Sequence, residues 1–460
     1  MTIANNIAFA LIGVLLVFTT AAYGAVHQPI IALVYITIAA MMVLWAADRW
    51  RAGELTYDSS YLQMPLYAAA VYGLIQVIPF GSLAATAGVE GIPRTISLFP
   101  FATQLSAVHF FALGFFFSAA LVLINTAGRI RRLVLLITIF GAIFAFFSIL
   151  QFVLSPTRIY GIYEARSGAP FGTFVNRHNF AAYMEMTMAL PLGLMFVGAV
   201  NRDKKLLYIT GIGLMGVALI MSGSRGGLVA FLAQIFILVL LTIGNRSRSN
   251  IVLKTALAAA LIAAIIGGSF FVGGESSLTR IAETATSQDI TTDRAHIWRV
   301  TLDVIANNLP FGAGLGAFGV AYTAFDSYSG LERVEQAHND YLQVLSDAGL
   351  VGLLIGGLFL FLLFKTGMAS VRRSNLFRRG VAVGAFSGVF AILVHSIFDF
   401  VLHTTAVAIL FLVLTALLVA SGRRYDDDLD ERDIHGTGER RPKRKRASIK
   451  PFKTSRARPR

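Results

Sequence analysis

The sequence contains no cysteine and few charged residues, and both shortages narrow what the chain can be. Without cysteine, its 460 residues hold no disulfide framework, no thiol nucleophile and no zinc–thiolate site. Only 14% of the residues are charged and 56% are apolar, whereas a soluble domain has about a quarter of its residues charged. This balance excludes an ordinary water-soluble enzyme, a disordered protein and a nucleic-acid binder. It is typical of a chain that crosses a membrane many times.

Twelve apolar runs are long enough to cross a bilayer. A helix needs about 20 residues to span the hydrocarbon core at a rise of about 1.5 Å per residue. We therefore predict an all-α integral membrane protein with about 12 transmembrane helices. The first run is interpreted as a retained helix rather than a signal peptide, because the leading segment MTIANN contains no Lys or Arg. The predicted spans lie near 3–22, 29–47, 62–79, 104–124, 131–154, 180–200, 206–222, 227–243, 252–273, 342–364, 379–396 and 401–420.

The distribution of basic residues predicts the orientation of these spans. With the N-terminus in the cytoplasm, the five inward connections contain 16 Lys and Arg, and the five short outward connections contain 5. Cytoplasmic loops of membrane proteins show the same excess of positive charge. Twelve spans also return the C-terminus to the cytoplasm. We therefore expect a multi-pass protein with both termini inside the cell.

The C-terminal tail, 423–460, is basic and is predicted to be disordered. It contains 14 Lys and Arg against 7 Asp and Glu, a composition that disfavours a packed core and favours attraction to anionic lipid. Within it, Asp426 and Asp428 have the Asp-x-Asp spacing that holds a metal in many sugar-nucleotide transferases. They lie in a charged tail far from any aromatic or glycine-rich segment. We interpret them as part of a solvated acidic run rather than a metal site.

Residues 274–341 are too long and too polar to be a simple connection between spans. A helix is predicted from about Asp293 to Asn307, with Arg294 on its first turn, and it ends before Pro310 because proline disfavours helical geometry in the preceding residue. Loops of this length inside compact proteins usually have their own structure and often a function. We expect a small helical cap on the outer membrane surface.

Two short patterns resemble known sites but lack the required context. The segment GLGAFG places Gly314, Gly316 and Gly319 in the order of a dinucleotide-binding loop, which would need a preceding strand that is not predicted here. A flexible turn between cap helices is the expected alternative. The segment SGSRGG at 222–227 resembles a nucleophile elbow, yet Ser222 replaces the first glycine and no strand–turn–helix surrounds it.

Arginine collects on the predicted outer face, where few cations are expected. Arg225 lies in a short turn between adjacent spans, followed by Gly226 and Gly227, which would let a ligand approach the backbone. Guanidinium binds phosphate bidentately and stays charged at any relevant pH. This clustering favours a site for an anionic ligand over scattered surface charge or snorkelling to lipid phosphate. The outward connection 155–179 contributes Arg158, Arg166 and Arg177.

Four other polar residues near the outer face have no assigned role. Glu185 lies about one turn into a span, which makes it a candidate site residue by default; a buried structural hydrogen bond is the equal alternative. His395, Asp399 and His403 bracket the last outward turn, where we expect them to form another polar contact.

Three segments resemble the O-antigen ligase and polymerase superfamily of bacterial envelope glycosyltransferases: SGSRGG at 222–227, RAHIW at 294–298 and HNDYLQVLSDAGLVG at 338–352. In the last, His338 and Asn339 precede Gly349 and Gly352 at the spacing of the ligase family's histidine motif. GTFVNRHNFAAYMEM at 172–186 is a weaker match, and the resemblance extends from about 140 to 420. The expected organisation is N-terminal transmembrane helices at 1–130, an O-antigen ligase-like core at 131–422 that includes periplasmic loop 274–341, and a basic cytoplasmic tail at 423–460.

The resemblance implies a transferase of the multi-span GT-C type in the bacterial inner membrane. Such a protein moves a glycan from a polyprenyl-diphosphate carrier to an acceptor hydroxyl on the periplasmic face, without cofactor or metal and with inversion. The implied partners are that donor, a glycan or lipid A-core acceptor and membrane lipids, with no nucleic acid. His338 is then the expected catalytic base. Arg225, Arg294, Arg177 and Asn339 are the expected substrate-binding residues, and for Asn339 the alternatives are orienting His338 or capping a helix.

The sequence leaves several related functions open. A ligase attaches the whole chain to lipid A-core, a polymerase extends it on the carrier lipid, and a further relative transfers glycan to protein. From a different class, a lipid-glycan flippase or transporter stays open, although such proteins place their ionisable residues near the bilayer midplane, often within internal repeats. The notable polar residues here lie at the outer edge instead.

Overall fold

The computed structural model describes residues 2–53, 58–82, 93–165, 169–242, 294–327, 333–373 and 375–423, together with the single positions 259 and 263. This part of the chain is mostly helical with almost no sheet, and the predicted all-α integral membrane fold is confirmed. Its helices are α1 (Ile3–Ala21), α2 (Gln28–Ala52), α3 (Met64–Gln76), α4 (Pro100–Leu123), α5 (Ala127–Leu154), α6 (Arg177–Val197), α7 (Lys205–Met221), α8 (Arg225–Thr242), α9 (Arg294–Asn308), α10 (Phe318–Thr323), α11 (Asp340–Ser370), α12 (Leu376–His395) and α13 (Thr405–Gly422).

Sheet structure in the described part of the chain amounts to two small hairpins. In each hairpin, two strands of two residues pair in antiparallel register. Strand β1 (Gly81–Ser82) pairs with β2 (Pro93–Arg94), and β3 (Arg158–Ile159) pairs with β4 (Tyr163–Glu164).

Ten of the described helices are long and apolar enough to cross a membrane: α1, α2, α4 to α8, and α11 to α13. The predicted span near 62–79 is helical only over the 13 residues of α3, because Pro65 lies in its first turn and Pro79 follows its end. The predicted span 252–273 falls outside the described residues apart from two positions. The predicted start of the last span at 401 is wrong by four residues, since Val401–His403 form a separate 3₁₀ turn.

Two central helices, α6 and α13, are buried along almost their whole length. Helix α12 packs closely on α6 where glycines face each other, and a Cβ added to Gly193 would lie 2.4 Å from the Cα of Gly384. Small residues allow such close helix contacts in membranes. The same hydrophobic core contains side chains of α1, such as Phe9 and Ile12. Helix α1 of the predicted 1–130 segment thus packs into the common core. The division of the chain into a 1–130 segment and a 131–422 core stays a prediction.

The bundle has two chemically different ends. At one end, the carboxylate of Asp48 accepts a hydrogen bond from Asn5 at 2.7 Å, and Arg129 donates to the same asparagine at 2.7 Å. Arg423 joins this end through the carbonyl of Leu121 at 2.8 Å. Helices α6, α8 and α11 begin at the opposite end, where the NRHN, SRGG and HND segments therefore meet.

Helix α11 is interrupted at Gly349, and the residues around this interruption bind the segment between α9 and α10. Gly349 has φ +59°, and a Cβ there would lie 2.1 Å from the carbonyl oxygen of Pro310. The freed carbonyls of Ser346 and Asp347 accept N–H groups from Ala313 at 2.8 Å and Gly314 at 2.9 Å. The GLGAFG segment thus runs from the connection after α9 into the first residues of α10, and it follows a helix and not the strand that a dinucleotide-binding loop requires.

Candidate active site

Asp399, in the turn between α12 and α13, lies at the centre of a polar cluster at the end of the bundle where α6, α8 and α11 begin. Its side chain is 1% exposed. One carboxylate oxygen, Oδ2, accepts from Nη2 of Arg294 at 3.0 Å, and Oδ1 is 3.2 Å from Nδ1 of His338. Arg294 also donates to the backbone carbonyl of Phe398. Arg294 and His338, two of the predicted site residues, therefore share one buried carboxylate.

The surroundings of Asp399 keep it ionised. Burial by itself would raise the pKa of this carboxyl, because it removes water from the charged form. The hydrogen bond from His338 and the positive charge of Arg294 outweigh burial and hold the pKa of this carboxyl well below its usual range. Asp399 is thus a permanent anion at neutral pH that orients a guanidinium on one oxygen and an imidazole on the other.

His338 is positioned by its backbone and by this carboxylate. It has φ +50°, in the left-handed region, which turns the ring out of the line of α11 toward the turn. The ring also meets Phe400 edge to face, with centroids 4.9 Å apart. With an anionic acceptor at Nδ1, we infer that this nitrogen carries a proton, which makes Nε2 the ring nitrogen that faces away from Asp399. The side chain is 30% exposed, so the imidazole can receive a proton from a bound molecule.

Asn339 uses its amide to hold this arrangement. Its Oδ1 accepts the N–H groups of Tyr341 and Leu342, both at 3.0 Å, and thereby caps α11. Its Nδ2 donates to the carbonyl of Ile397 at 3.0 Å. The capping alternative is the one that the geometry supports. A direct substrate contact of Asn339 stays a prediction.

Arg225 is the first residue of α8, and the residues on either side of it are fixed against the cluster. Oγ of Ser224 lies 2.8 Å from Nδ1 of His178. A Cβ added to Gly226 would lie 3.0 Å from that of Phe398, and one added to Gly227 would lie 2.8 Å from that of Ala181. These glycines let α8 approach α6 and the turn after α12 closely, and the approach of a ligand there stays a prediction. The backbone of Arg225 is adjacent to the Asp399 turn.

His178 is the residue that sequence reasoning missed. Its Nδ1 bonds to Ser224 and lies 3.7 Å from Oδ2 of Asp399, so it connects the NRHN segment to the SRGG segment and to the Asp399 turn. Arg177, which begins α6, is close enough for its charge to act on this imidazole. Arg158 instead pairs with exposed Glu164 at 3.5 Å, and Arg166 lies outside the described residues. The NRHN segment was recognised, but only the fold distinguishes its histidine.

The remaining polar residues of the last turn form separate pairs. Nδ1 of His395 lies 3.0 Å from Oε1 of Glu185, and both side chains are fully buried. Glu185 therefore makes the buried hydrogen bond that was one of its two alternatives. Nδ1 of His403 lies 3.0 Å from Oδ1 of Asp340. The described residues contain no group of three or more His, Asp or Glu side chains suited to a metal ion.

Residues 210–357 match the family model described as O-antigen ligase. These residues are similar to that family. The match includes Arg225, Arg294 and His338, and it confirms the resemblance that the three motifs predicted. The matched stretch is shorter than the predicted 140–420, and His178 and Asp399 lie outside it. No curated protein matches the chain.

Proposed function

We propose that this protein transfers a glycan from a polyprenyl-diphosphate carrier to an acceptor hydroxyl on the periplasmic face of the bacterial inner membrane. The O-antigen ligase match supports ligase- or polymerase-type activity in general. The observation that carries the finer proposal is the pairing of Arg294 and His338 on the buried carboxylate of Asp399. This pairing places a positive group and a proton acceptor side by side.

Each group then has one role in the transfer. The acceptor hydroxyl loses its proton to Nε2 of His338, and its oxygen bonds to the anomeric carbon of the donor. The bond from that carbon to the diphosphate breaks, and the electron pair leaves with the diphosphate. Arg294 and Arg225 stabilise the charge that develops there. Asp399 stabilises the imidazolium, as a carboxylate does in a catalytic triad. Direct attack inverts the anomeric configuration.

The position of the site suits a donor with a lipid tail. The cluster lies at the end of the bundle, so a polyprenyl chain can lie along apolar helices while its diphosphate reaches the arginines. The N-terminus and Arg423 lie at the other end, which the excess of basic residues assigns to the cytoplasm. The donor glycan would therefore face the periplasm.

The test is transfer by the purified full-length protein supplied with a synthetic polyprenyl-diphosphate oligosaccharide. Removing a general base costs roughly 10²–10⁴ in rate, and removing one electrostatic donor costs roughly 10²–10³. We expect His338→Ala, Arg225→Ala and Arg294→Ala each to abolish detectable transfer while the protein still inserts into the membrane. Wild-type rates from a folded His338→Ala protein would overturn the mechanism.

The choice of acceptor in the same assay separates the remaining alternatives. Product on lipid A-core indicates a ligase, and product on a second carrier-linked chain indicates a polymerase. A flippase would move the donor across a vesicle membrane without forming a glycosidic bond. In a deletion strain, a ligase leaves long unattached chains, whereas loss of a polymerase leaves single-repeat products.

A further inference from the structure

Two His–Asp pairs lie at the end of the bundle that holds the Asp399 cluster. Both join the segment 338–340 to the segment 399–403, and each segment gives the histidine to one pair and the aspartate to the other. His338 of the first segment pairs with Asp399 of the second, and Asp340 of the first pairs with His403 of the second. The proposed mechanism uses only the first pair. The second pair lies beside it, because the ring of Phe400 contacts both imidazoles, with centroid distances of 4.9 Å to His338 and 6.4 Å to His403.

The His403 side chain is not needed to hold the turn. Asp340 also holds the turn through three other hydrogen bonds. The backbone N–H of Asp340 donates to the carbonyl of Ser396 at 2.9 Å. Oδ2 of Asp340 accepts hydrogen bonds from Oγ of Ser396 at 2.7 Å and from the N–H of Leu402 at 3.4 Å. The His403 side chain is 39% exposed, whereas that of Asp340 is 9% exposed. An imidazole that served only to fix the turn would be expected to be as buried as its partner.

The environment of His403 makes it a strong hydrogen-bond donor. Lost solvation alone would lower the pKa of this imidazole, but the hydrogen bond to Asp340 and the charges of Asp340 and Asp347 raise it above its ordinary value. With Nδ1 on Asp340, Nε2 is the ring nitrogen left for a ligand. Hydrogen bonds from a charged donor are stronger than neutral ones.

The order of groups along the turn assigns a direction to the reaction. Arg294 binds Oδ2 of Asp399 and His338 lies at Oδ1, and the ring of Phe400 contacts His338 on one side and His403 on the other without a recorded contact to Arg294 among the described residues. In an inverting displacement, the nucleophile and the leaving group lie on opposite sides of the anomeric carbon. If the diphosphate leaves on the side of Arg294, the acceptor approaches from the side of Phe400.

We propose that His403, Asp340 and Phe400 form a subsite for the acceptor sugar, which rests on the transfer reaction proposed above. An oxygen of the acceptor sugar accepts a hydrogen bond from Nε2 of His403, and the sugar packs against the partly buried ring of Phe400. The hydroxyl that reacts then lies next to His338. The subsite binds the acceptor and takes no part in the bond changes.

The test measures the KM of each substrate separately. The full-length protein is assayed with synthetic polyprenyl-diphosphate oligosaccharide as donor and, in separate arms, lipid A-core or a second carrier-linked chain as acceptor. Loss of a charge-assisted hydrogen bond should raise the acceptor KM of His403→Ala by roughly 10–100-fold, with donor KM and kcat changed less than about threefold. Phe400→Leu should also raise the acceptor KM. His403→Gln, which retains an N–H donor, should have an acceptor KM between those of His403→Ala and the wild type.

His296→Ala is the matched control. His296 is also paired with an aspartate, since its Nε2 lies 2.9 Å from Oδ1 of Asp326, but this pair lies in the cap. Its acceptor KM should stay within about threefold of wild type. An unchanged acceptor KM in both His403→Ala and Phe400→Leu, or a fall in kcat alone, overturns the subsite. Absence of product from the wild type with every acceptor would instead contradict the transfer reaction itself.

Discussion

At the scale of single residues, Asp399 explains why Arg294 and His338 lie side by side. Its two oxygens hold Arg294 at 3.0 Å and His338 at 3.2 Å in a site where the carboxylate is 1% exposed. A buried carboxylate without these partners would be strongly destabilised, because water no longer solvates its charge. The anion and its two partners therefore depend on one another.

Replacing Asp399 by asparagine keeps the shape and removes the charge. Asp399→Asn should lower the transfer rate by roughly 10²–10⁴, because the imidazolium is no longer stabilised and the His338 tautomer is no longer set. The rate is measured with saturating donor and acceptor. Asp326→Asn, in the cap pair with His296, is the control and should stay near wild type. An Asp399→Asn rate within about threefold of wild type would exclude Asp399 from the mechanism.

The lowered pKa of Asp399 also predicts how stability depends on pH. In the folded protein its pKa is depressed below the ordinary aspartate value of 3.8, which we assign to the unfolded chain. The stability it contributes is therefore fully present above about pH 4 and is lost as pH falls toward the folded pKa. The difference in Tm between wild type and Asp399→Asn in detergent should stay constant from about pH 5 to 8 and shrink only below about pH 4. A difference that shrinks between pH 7 and 5 would contradict this assignment.

At the scale of secondary-structure elements, the break in α11 connects the histidine motif to the cap. The motif spacing brings Gly349 to the point where the helix is interrupted, with Leu350 donating to the carbonyl of Pro310 at 2.9 Å. The same helix begins directly after Asn339, its N-cap residue, which is adjacent to His338. One element thus orients the proposed base and anchors the loop that follows α9, the helix that begins with Arg294.

A Cβ at Gly349 should weaken this connection. The backbone conformation there, φ +59° and ψ −148°, is open essentially to glycine alone and costs other residues on the order of 1–3 kcal/mol. Gly349→Ala should therefore lower the Tm in detergent and the transfer rate together. Gly356→Ala, in the same helix with nothing within 4 Å of the added Cβ, is the control and should be neutral or stabilising. Equal Tm values for the two variants would show that the break does not depend on glycine.

At the scale of the whole molecule, the polar cluster and the N-terminus lie at opposite ends of the bundle. The N-terminal end holds Asp48, Arg129 and Arg423, and the second end holds the polar cluster of Asp399 and its partners. A reaction on an exported lipid-linked glycan requires the second end to face away from the cytoplasm. The sidedness of the bundle therefore decides whether the proposed chemistry has access to its substrates.

The absence of cysteine allows this sidedness to be measured with single introduced thiols. Ile162, in the hairpin turn between α5 and α6 at the same end of the bundle as the site, is 80% exposed, and Lys204 is exposed at the opposite end. A membrane-impermeant maleimide added to spheroplasts should label Ile162→Cys and should label Lys204→Cys only after permeabilisation. The reverse pattern would place the site in the cytoplasm and contradict the proposed function.

Local pattern in the sequence was sufficient for the class of protein and for most of its elements. Hydropathy over about 20 residues predicts a membrane helix, because each span must satisfy its own backbone in lipid. Helix α9 was predicted at 293–307 and is found at Arg294–Asn308. The span near 62–79 was wrong in length, since flanking prolines outweigh apolar composition there.

What the sequence by itself determined is therefore the helices, their approximate limits and the three motif residues Arg225, Arg294 and His338. Only the tertiary structure decided their partners: Asp399 is 61 residues from His338, and Glu185 is 210 residues from His395. Side-chain periodicity and spacing describe contacts within one helix or turn. Pairs that form across several helices depend on how the bundle packs, and this is why a turn with no assigned mechanism became the centre of the site.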